Sequence, residues 1–349
     1  MLYRISCTEM DALFAALSET KTVYLPADRE DGQASFVKWT EGTALSNRLN
    51  TVRSAKDFFF PQIQPLARFR REGQKIEITD LREESEDFVI FGARACDVRS
   101  FEILDRVFLA DPVDTSYQTR REHAAIVTMA CARPEETCFC TAFDIDPAKP
   151  ADGDVRAYIA DGYCYLEPLT EKGETLLAGA GECLEESDGA AVEAEAGRIR
   201  AILEKLPLAS LKPADNREKE LDVFNSPKWE EMASHCLGCG ACTFVCPTCQ
   251  CFDINDFDSG HGIERYRCWD SCMYHDFTLM ASGTPRLTQK ERFRQRFMHK
   301  LVYYPIRYDG VFSCVGCGRC LRKCPINMNI VKVMKELTGV RPAGAGEEA

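Results

Sequence analysis

The sequence has 349 residues, nineteen of which are cysteine, and a formal net charge of −12 at neutral pH. The length suggests two or three domains, and the acidic balance argues against nucleic acid as a partner. No apolar run is long enough to cross a bilayer, so we expect no membrane span.

The first residues and the cysteine usage indicate the compartment. Residues 1–4 open no apolar stretch of the signal-peptide type. The cysteines follow no regular disulfide framework, and the metal-binding motifs described below require thiolates, which a reducing compartment preserves. We therefore expect a cytoplasmic protein.

The first part of the chain alternates predicted strands and helices. An amphipathic helix is expected over residues 9–18, opened by a capping box at Thr8. A buried strand at 88–91 leads into a helix at 98–109, and a second buried strand follows at 124–130. Shorter strands are expected at 22–25, 35–39 and 75–79. This alternation predicts an α/β domain with a mixed, largely parallel sheet.

A hairpin and two helices complete the predicted α/β domain, which covers residues 1–206. These elements are expected at 155–159, 163–166, 172–178 and 190–206. Residues 207–226 contain Pro213 and many charged side chains, which is typical of a linker between domains.

Cysteines follow both buried strands of the predicted sheet. Cys96 comes after the first strand and Cys131 after the second, and Cys138 and Cys140 form a tight C-x-C. Sites in α/β sheets gather beyond the carboxyl ends of the strands. Four thiols at that edge suit a [4Fe-4S] cluster, which would be a third cluster beside the two described in the next paragraph. Zinc, a redox-active thiol pair and plain buried thiols are the alternatives.

Two copies of C-x-x-C-x-x-C-x-x-x-C-P dominate the rest of the chain, at residues 236–247 and 314–325. This run holds cubane iron–sulfur clusters in bacterial ferredoxins, and its fourth cysteine ligates the other cluster of a pair. The first [4Fe-4S] cluster is therefore expected on Cys236, Cys239, Cys242 and Cys324. The second is expected on Cys314, Cys317, Cys320 and Cys246. A zinc site, which usually needs two C-x-x-C pairs, fits these runs badly.

The domain that carries the two runs is expected to be all-α and of the helical ferredoxin type. Helical patterns occur at 277–282 and 288–304, and β-type patterning is not evident after residue 227. This dicluster domain is predicted to cover 227–340, and the remaining residues, 341–349, are expected to form a disordered tail.

Other cysteines and a basic run have less specific interpretations. The next group follows the first run, and we interpret it as packing thiols or a redox pair rather than another cluster: Cys249, Cys251, Cys268 and Cys272. Cys7, Cys164 and Cys183 are isolated and expected to be inert. The basic residues over 286–300 are expected to form a solvated helix face; a docking surface or electrostatic support for anionic clusters is the alternative.

The order of motifs resembles that of one protein family. It runs F-x-A-R-A-C-D, R-E-H, C-x-x-x-x-x-x-C-F-C, C-x-x-C-G-x-C-x-x-x-C-P-T-C-x-C, W-x-S-C and V-G-C-G-R-C-x-x-x-C-P. These motifs occupy residues 91–97, 121–123, 131–140, 236–251, 269–272 and 315–325. The pattern resembles the 4Fe-4S dicluster subunit of anaerobic sulfite reductase and the β subunit of cytoplasmic sulfhydrogenases, over nearly the whole chain.

The resemblance implies an electron-transfer subunit with [4Fe-4S] clusters. It implies two partners: a flavoprotein that oxidises NAD(P)H and carries FAD and a [2Fe-2S] cluster, and a separate catalytic subunit. It also favours a third cluster at Cys96, Cys131, Cys138 and Cys140, where the family shares cysteines. The terminal acceptor is not fixed, because related subunits serve sulfite reduction, hydrogen turnover and other anaerobic reductases.

The resulting hypothesis is a protein that relays electrons from the flavoprotein to the catalytic subunit, with no catalytic residues of its own. One alternative is a catalytic subunit that reduces a sulfur substrate at the N-terminal cysteines. The other is a zinc-bound assembly scaffold.

Overall fold

The computed structural model describes residues 1–48, 50–82, 85–258, 260 and 262–337. The described residues form two compact units. The first unit takes those of the ranges 1–60, 83–210 and 315–317, and the second unit takes those of 61–82, 211–314 and 318–337. In these ranges no helix is both long enough and apolar enough to cross a membrane.

Strands and helices are numbered in chain order. The strands are β1 (Tyr3–Ser6), β2 (Thr22–Asp28), β3 (Ala34–Lys38), β4 (Ile63–Glu72), β5 (Lys75–Asp80), β6 (Phe88–Arg94), β7 (Ala124–Met129), β8 (Val155–Ala160), β9 (Tyr163–Pro168), β10 (Glu185–Glu186), β11 (Phe252–Asp258) and β12 (Ile263–Trp269). The α-helices are α1 (Met10–Ser18), α2 (Ala95–Phe108), α3 (Thr115–His123), α4 (Glu171–Ala178), α5 (Ala190–Leu203), α6 (Glu220–Phe224), α7 (Lys228–Ser234), α8 (Ala241–Phe244), α9 (Gln289–Met298), α10 (Tyr304–Arg307), α11 (Arg319–Lys323) and α12 (Ile330–Leu337).

The first unit is built on an eight-stranded sheet with the order β10-β1-β9-β8-β7-β6-β2-β3. Strands β8, β7, β6 and β2 are parallel to one another, and the other four neighbouring pairs of the sheet are antiparallel. The predicted mixed sheet of an α/β domain is therefore confirmed, with its parallel strands at the centre. A parallel pair needs a long crossover connection, which α2 and α3 supply between β6 and β7. Within the described residues, the crossovers from β2 to β6 and from β7 to β8 are long connections without an α-helix.

The two central strands β6 and β7 are buried along their whole length, as their nearly continuous apolar sequences require. Phe14 on α1 packs edge to face on Phe91 of β6, with ring centroids 5.0 Å apart. The hairpin β8–β9 and helices α2, α4 and α5 match the predicted elements. The capping box predicted at Thr8 is not formed; Ser6 caps a short 3₁₀ turn ahead of α1.

The second unit contains helices around the cysteine motifs and also a four-stranded antiparallel sheet, with the order β11-β12-β4-β5. The prediction of helical structure around the motifs is confirmed, but the absence of strands after residue 227 is wrong. Acidic residues interrupt the apolar alternation of β11, where Asp256 follows Asn255. These residues make the sequence of β11 unlike that of a typical strand. The strand is stabilised by pairing with β12 along its whole length.

The domain boundaries differ from those expected from the sequence. Strand β4 pairs with β12, so residues 61–82 belong to the second unit although the sequence places them within 1–206. The stretch 207–226 holds α6, whose Val223 is fully buried. Of the predicted helices at 277–282 and 288–304, the first is reduced to a 3₁₀ turn, and the second is formed by α9, a π-helical turn and α10. The predicted tail, 341–349, lies outside the described residues.

Candidate iron–sulfur centres

The first unit gathers the four N-terminal cysteines at one end of its sheet. Cys96 is the second residue of α2, directly after β6, and Cys131 lies two residues beyond β7. Cys138 and Cys140 follow on the loop, where Cys140 opens a 3₁₀ turn. All four side chains are buried. The sheet therefore brings to one edge the thiols that the sequence predicted there.

A buried guanidinium lies among these thiols. Arg94 ends β6, is 3% exposed, and donates a hydrogen bond from Nη2 to Cys131 Sγ. Burial lowers the pKa of Arg94, but the charges of Cys131, Cys138 and Cys96 outweigh burial and raise that pKa well above its usual value. Arg94 is therefore a permanent cation in contact with the cysteine group.

Two donors of Arg94 have no partner among the described residues. Its Nε and Nη1 atoms are buried and make no hydrogen bond, and neither does Thr137 Oγ1 beside Cys138. A buried donor without an acceptor lowers the free energy of unfolding. Native structures therefore rarely leave such donors unpaired. The inorganic sulfides of an iron–sulfur cluster accept hydrogen bonds of this kind. The donor set at this edge fits such a group.

Two of the four thiols, those of Cys131 and Cys140, are poor anions without a metal. Burial raises the pKa of Cys140 to about 12, and it also raises the pKa of Cys131. A metal ion displaces the proton of a thiol when it binds, and its positive charge offsets the free-energy cost of the buried thiolate. The raised pKa values of Cys131 and Cys140 make these two side chains poor nucleophiles, and metal binding would offset that cost.

In the second unit, four cysteines line a single cavity. They are Cys236, Cys239, Cys242 and Cys324. They are the four that the sequence assigned to the first cluster. Gly238 and Gly240 turn the loop between them with φ angles of 68° and 71°. A Cβ atom on Gly240 would lie 2.4 Å from the hydroxyl of Tyr274, which would have to move, and the positive φ angle itself favours glycine there.

Three of the four cysteines assigned to the second cluster lie near the same buried cations of the second unit. Arg296 interacts with Cys320 and Cys246, and Lys300 interacts with Cys246 and Cys314. The fourth, Cys317, belongs to the first unit, where its carbonyl oxygen lies 4.0 Å from Cys138 Sγ. Its neighbour Gly316 accepts a hydrogen bond of 2.8 Å from the Phe139 N–H.

Arg296 and Lys300 are both 3% exposed, so the expected solvated helix face is wrong for these two residues. Burial lowers the pKa of each, and the surrounding thiolates outweigh burial and raise both pKa values. Lys300 Nζ donates to Thr248 Oγ1 at 2.8 Å and to the Ser313 carbonyl oxygen at 3.0 Å. The π-helical turn His299–Tyr303 places Lys300. Burial among cysteines is what the alternative of electrostatic support for anionic clusters predicts.

Two other members of the basic run are partly exposed and have partners within the second unit. Lys290 forms an ion pair of 2.8 Å with Glu230, and Arg294 stacks on the ring of Phe224. The burial of Arg94 among the cysteines was not predicted from the sequence, because the cysteine is the chemically distinctive residue of the motif F-x-A-R-A-C-D. Arg94 is the last residue of a strand whose sequence is otherwise apolar. This position was the sequence signal from which its burial could have been predicted.

The spacing of the thiols bears on the zinc alternative. Four sulfurs about 2.3 Å from one zinc ion lie within about 4 Å of one another. Throughout the described part of the chain, no three Cys, His, Asp or Glu side chains meet closely enough to hold a single metal ion. None of the described cysteines forms a disulfide.

Comparison with known proteins gives two findings. Residues 235–328 match the family described as the 4Fe-4S dicluster domain. Over 331 residues the chain is 32% identical to sulfhydrogenase 2 subunit beta of Pyrococcus furiosus, a match that covers 93% of this chain and 94% of that protein.

Proposed function

The chain belongs to the family of sulfhydrogenase β subunits and is an iron–sulfur electron-transfer subunit, and we propose that it relays electrons through three [4Fe-4S] clusters. The observation that carries the proposal is the pairing of buried cations with cysteine groups. Arg94 faces the N-terminal group, and Arg296 and Lys300 face the cysteines of the second unit.

The proposed ligands of the three clusters are the twelve cysteines already described. The ferredoxin-type pair would use Cys236, Cys239, Cys242, Cys324, Cys314, Cys317, Cys320 and Cys246. The third cluster would use Cys96, Cys131, Cys138 and Cys140. When bound, each cluster supplies a site that takes up and releases one electron. The chain fixes the position of each site through its thiolates and sets the energy of the extra electron through burial and hydrogen bonds.

The buried cations have a specific consequence for electron transfer. A cubane with four thiolates is an anion in a low-dielectric interior, where each added electron increases its charge. Arg94, Arg296 and Lys300 stabilise the reduced, more negative form and raise its reduction potential. None of these residues needs to gain or lose a proton, so the relay requires no general acid or base.

The proposed assembly has two further members. Electrons would come from a flavoprotein subunit that oxidises NADH or NADPH and carries FAD and a [2Fe-2S] cluster. They would leave to a terminal catalytic subunit of the sulfite reductase, hydrogenase or a related anaerobic type. We place this complex in the cytoplasm, because unligated thiols and iron–sulfur clusters persist in a reducing compartment.

The test is metal analysis with spectroscopy on oxygen-free, reconstituted protein. Three cubanes predict about twelve iron and about twelve sulfide per chain, and electron paramagnetic resonance signals that appear on reduction. About eight iron per chain would limit the relay to the ferredoxin-type pair. Well under eight, or a redox-silent ion in the sites, would overturn the proposal.

A cavity in the first unit supports a second candidate, reduction of a small substrate. It measures about 540 Å³, and its wall includes Ala130 and Ala132, the two neighbours of Cys131, together with Arg133. If this is a catalytic site, the isolated protein with a chemical reductant should turn over sulfite, polysulfide or a disulfide. The relay function alone predicts no turnover.

A further inference from the structure

A pair of cysteines outside the twelve proposed ligands is held together in the second unit. Cys251 directly precedes β11, and Cys272 lies three residues beyond the end of β12. The two strands pair from Phe252 and Trp269 onward, and the Asp270 N–H donates to the Cys251 carbonyl oxygen at 3.0 Å. The ladder thus fixes both ends of the pair, and the two thiols are hydrogen-bonded to each other.

The two thiols have different surroundings. Cys251 is half-buried and receives hydrogen bonds from both the thiol and the backbone N–H of Cys272, with the Lys300 ammonium nearby. The Cys272 thiol hydrogen bond is the largest influence, and with the other donors it lowers the pKa of Cys251 to about 7. Cys272 is buried and acts as the donor, so its own pKa is raised. One accessible thiolate beside one protected thiol is the arrangement of a nucleophile and its resolving partner.

We propose that Cys251 and Cys272 form a redox-active dithiol that exchanges with low-molecular-weight organic disulfides. The Cys251 thiolate attacks one sulfur of the disulfide; a new S–S bond forms, and the old one breaks to release one thiolate. Cys272 then gives its proton to that thiolate or to water and attacks Cys251 Sγ, which releases the second thiolate. Counted from the dithiol, the protein loses two electrons and two protons, one of them to solvent when the Cys251 thiolate forms. The two released thiolates take up two protons, so the organic disulfide becomes two thiols.

The neighbouring cysteines have other assignments or contacts. Both proposed ferredoxin-type ligand sets are complete without Cys251 and Cys272. The thiol of Cys249 is hydrogen-bonded to Cys246 instead. Cys268 accepts from Asn255 Nδ2 at 3.7 Å. The pair therefore stands as a dithiol.

The experiment equilibrates reconstituted, oxygen-free full-length protein with oxidised glutathione, alkylates the remaining thiols and maps disulfides by mass spectrometry. The expected product is a Cys251–Cys272 disulfide, with the iron content unchanged and the disulfide reversed by dithiothreitol. Cys272→Ala should instead accumulate a glutathione adduct on Cys251, and Cys251→Ala should form neither product. Cys268→Ala is the matched control and should behave as the wild type.

Three results would overturn the proposal. Both residues could remain open to alkylation after equilibration, or the disulfide could join other cysteines. Loss of iron in Cys251→Ala or Cys272→Ala, with iron retained in Cys268→Ala, would show that the pair ligates metal. Mapping the wild-type protein needs no substitution, so a variant that fails to fold does not weaken the test.

Discussion

The buried ammonium of Lys300 donates to the carbonyl oxygen of Ser313, the residue directly before Cys314, at a distance of 3.0 Å. This hydrogen bond joins the π-helical turn to the start of the second cysteine run. A cation that contacts the backbone directly before a proposed ligand influences both the position and the charge of the site. Its removal should therefore change the potential of a cluster more than its occupancy.

Lys300→Met should lower the reduction potential of the cluster assigned to the Cys314 run. About 1.4 kcal/mol corresponds to about 59 mV for one electron, so a buried unit charge predicts a fall on the order of 50–100 mV. Redox titration followed by electron paramagnetic resonance measures it. Lys290→Met removes an equal charge from an exposed ion pair and should leave all potentials in place. Equal shifts in the two variants would contradict the prediction.

Arg94→Met should remove the N-terminal cluster while sparing the other two. Without the guanidinium, the buried thiolates of Cys96, Cys131 and Cys138 lose the cation that stabilises their charge. Iron per chain should fall from about twelve to about eight. Arg106→Met, on the exposed face of α2, serves as the control and should retain the full iron content. Unchanged iron in Arg94→Met would show that the cation is dispensable for assembly.

Gly316→Ala should be far more damaging than Gly73→Ala, although the two glycines have similar φ angles of 58° and 63°. Both substitutions incur left-handed strain of about 1–2 kcal/mol. A Cβ atom added at residue 316 would lie 2.4 Å from Phe139 O and 2.6 Å from Cys140 N, which are backbone atoms. A Cβ atom added at residue 73 would have no neighbouring atom within 4 Å. Overpacking adds about 1–3 kcal/mol, which urea unfolding of both variants should resolve. Equal free energies of unfolding would refute the contact.

Alkylation of Cys251 should follow a titration curve with its midpoint near pH 7. Because its pKa is lowered to about 7, the reactive thiolate is populated above that pH and lost below it. Cys272→Ala removes the largest stabilising hydrogen bond and should move the midpoint up toward about 8.5, the value of an ordinary thiol. Cys7, whose pKa burial raises, is an internal comparison in the same iodoacetamide experiment. A midpoint that does not respond to Cys272→Ala would contradict the assigned donor.

The sequence predicted those features whose signals are local. The alternation around Asp161 and Gly162 predicted the hairpin, and the periodicity of 288–304 predicted α9. Strands β11 and β12 were missed because β11 is rich in acidic residues and most of its side chains are exposed. Pairing with β4, nearly 200 residues earlier, stabilises this ribbon, and no local pattern contains that information.

The candidate sites show the same division. The spacing of the cysteines was visible in the sequence, but the burial of Arg94, Arg296 and Lys300 was not. Periodicity assigns a charged residue to a surface by default, because the cost of burying it is recovered only when distant thiolates converge on it. The convergence depends on tertiary structure, which local sequence patterns do not contain.

The two units are interleaved along the chain, and this limits how the gene can be divided. A fragment that stops at residue 210 would lack Gly316, the acceptor for the Phe139 N–H, and one that starts at residue 211 would lack β4 and β5. Neither product of a single cut is a whole unit. The second unit therefore cannot be transferred to a relative as one continuous segment. Such an exchange would require replacing three separate segments of coding sequence at once, those for 61–82, 211–314 and the residues from 318 onward.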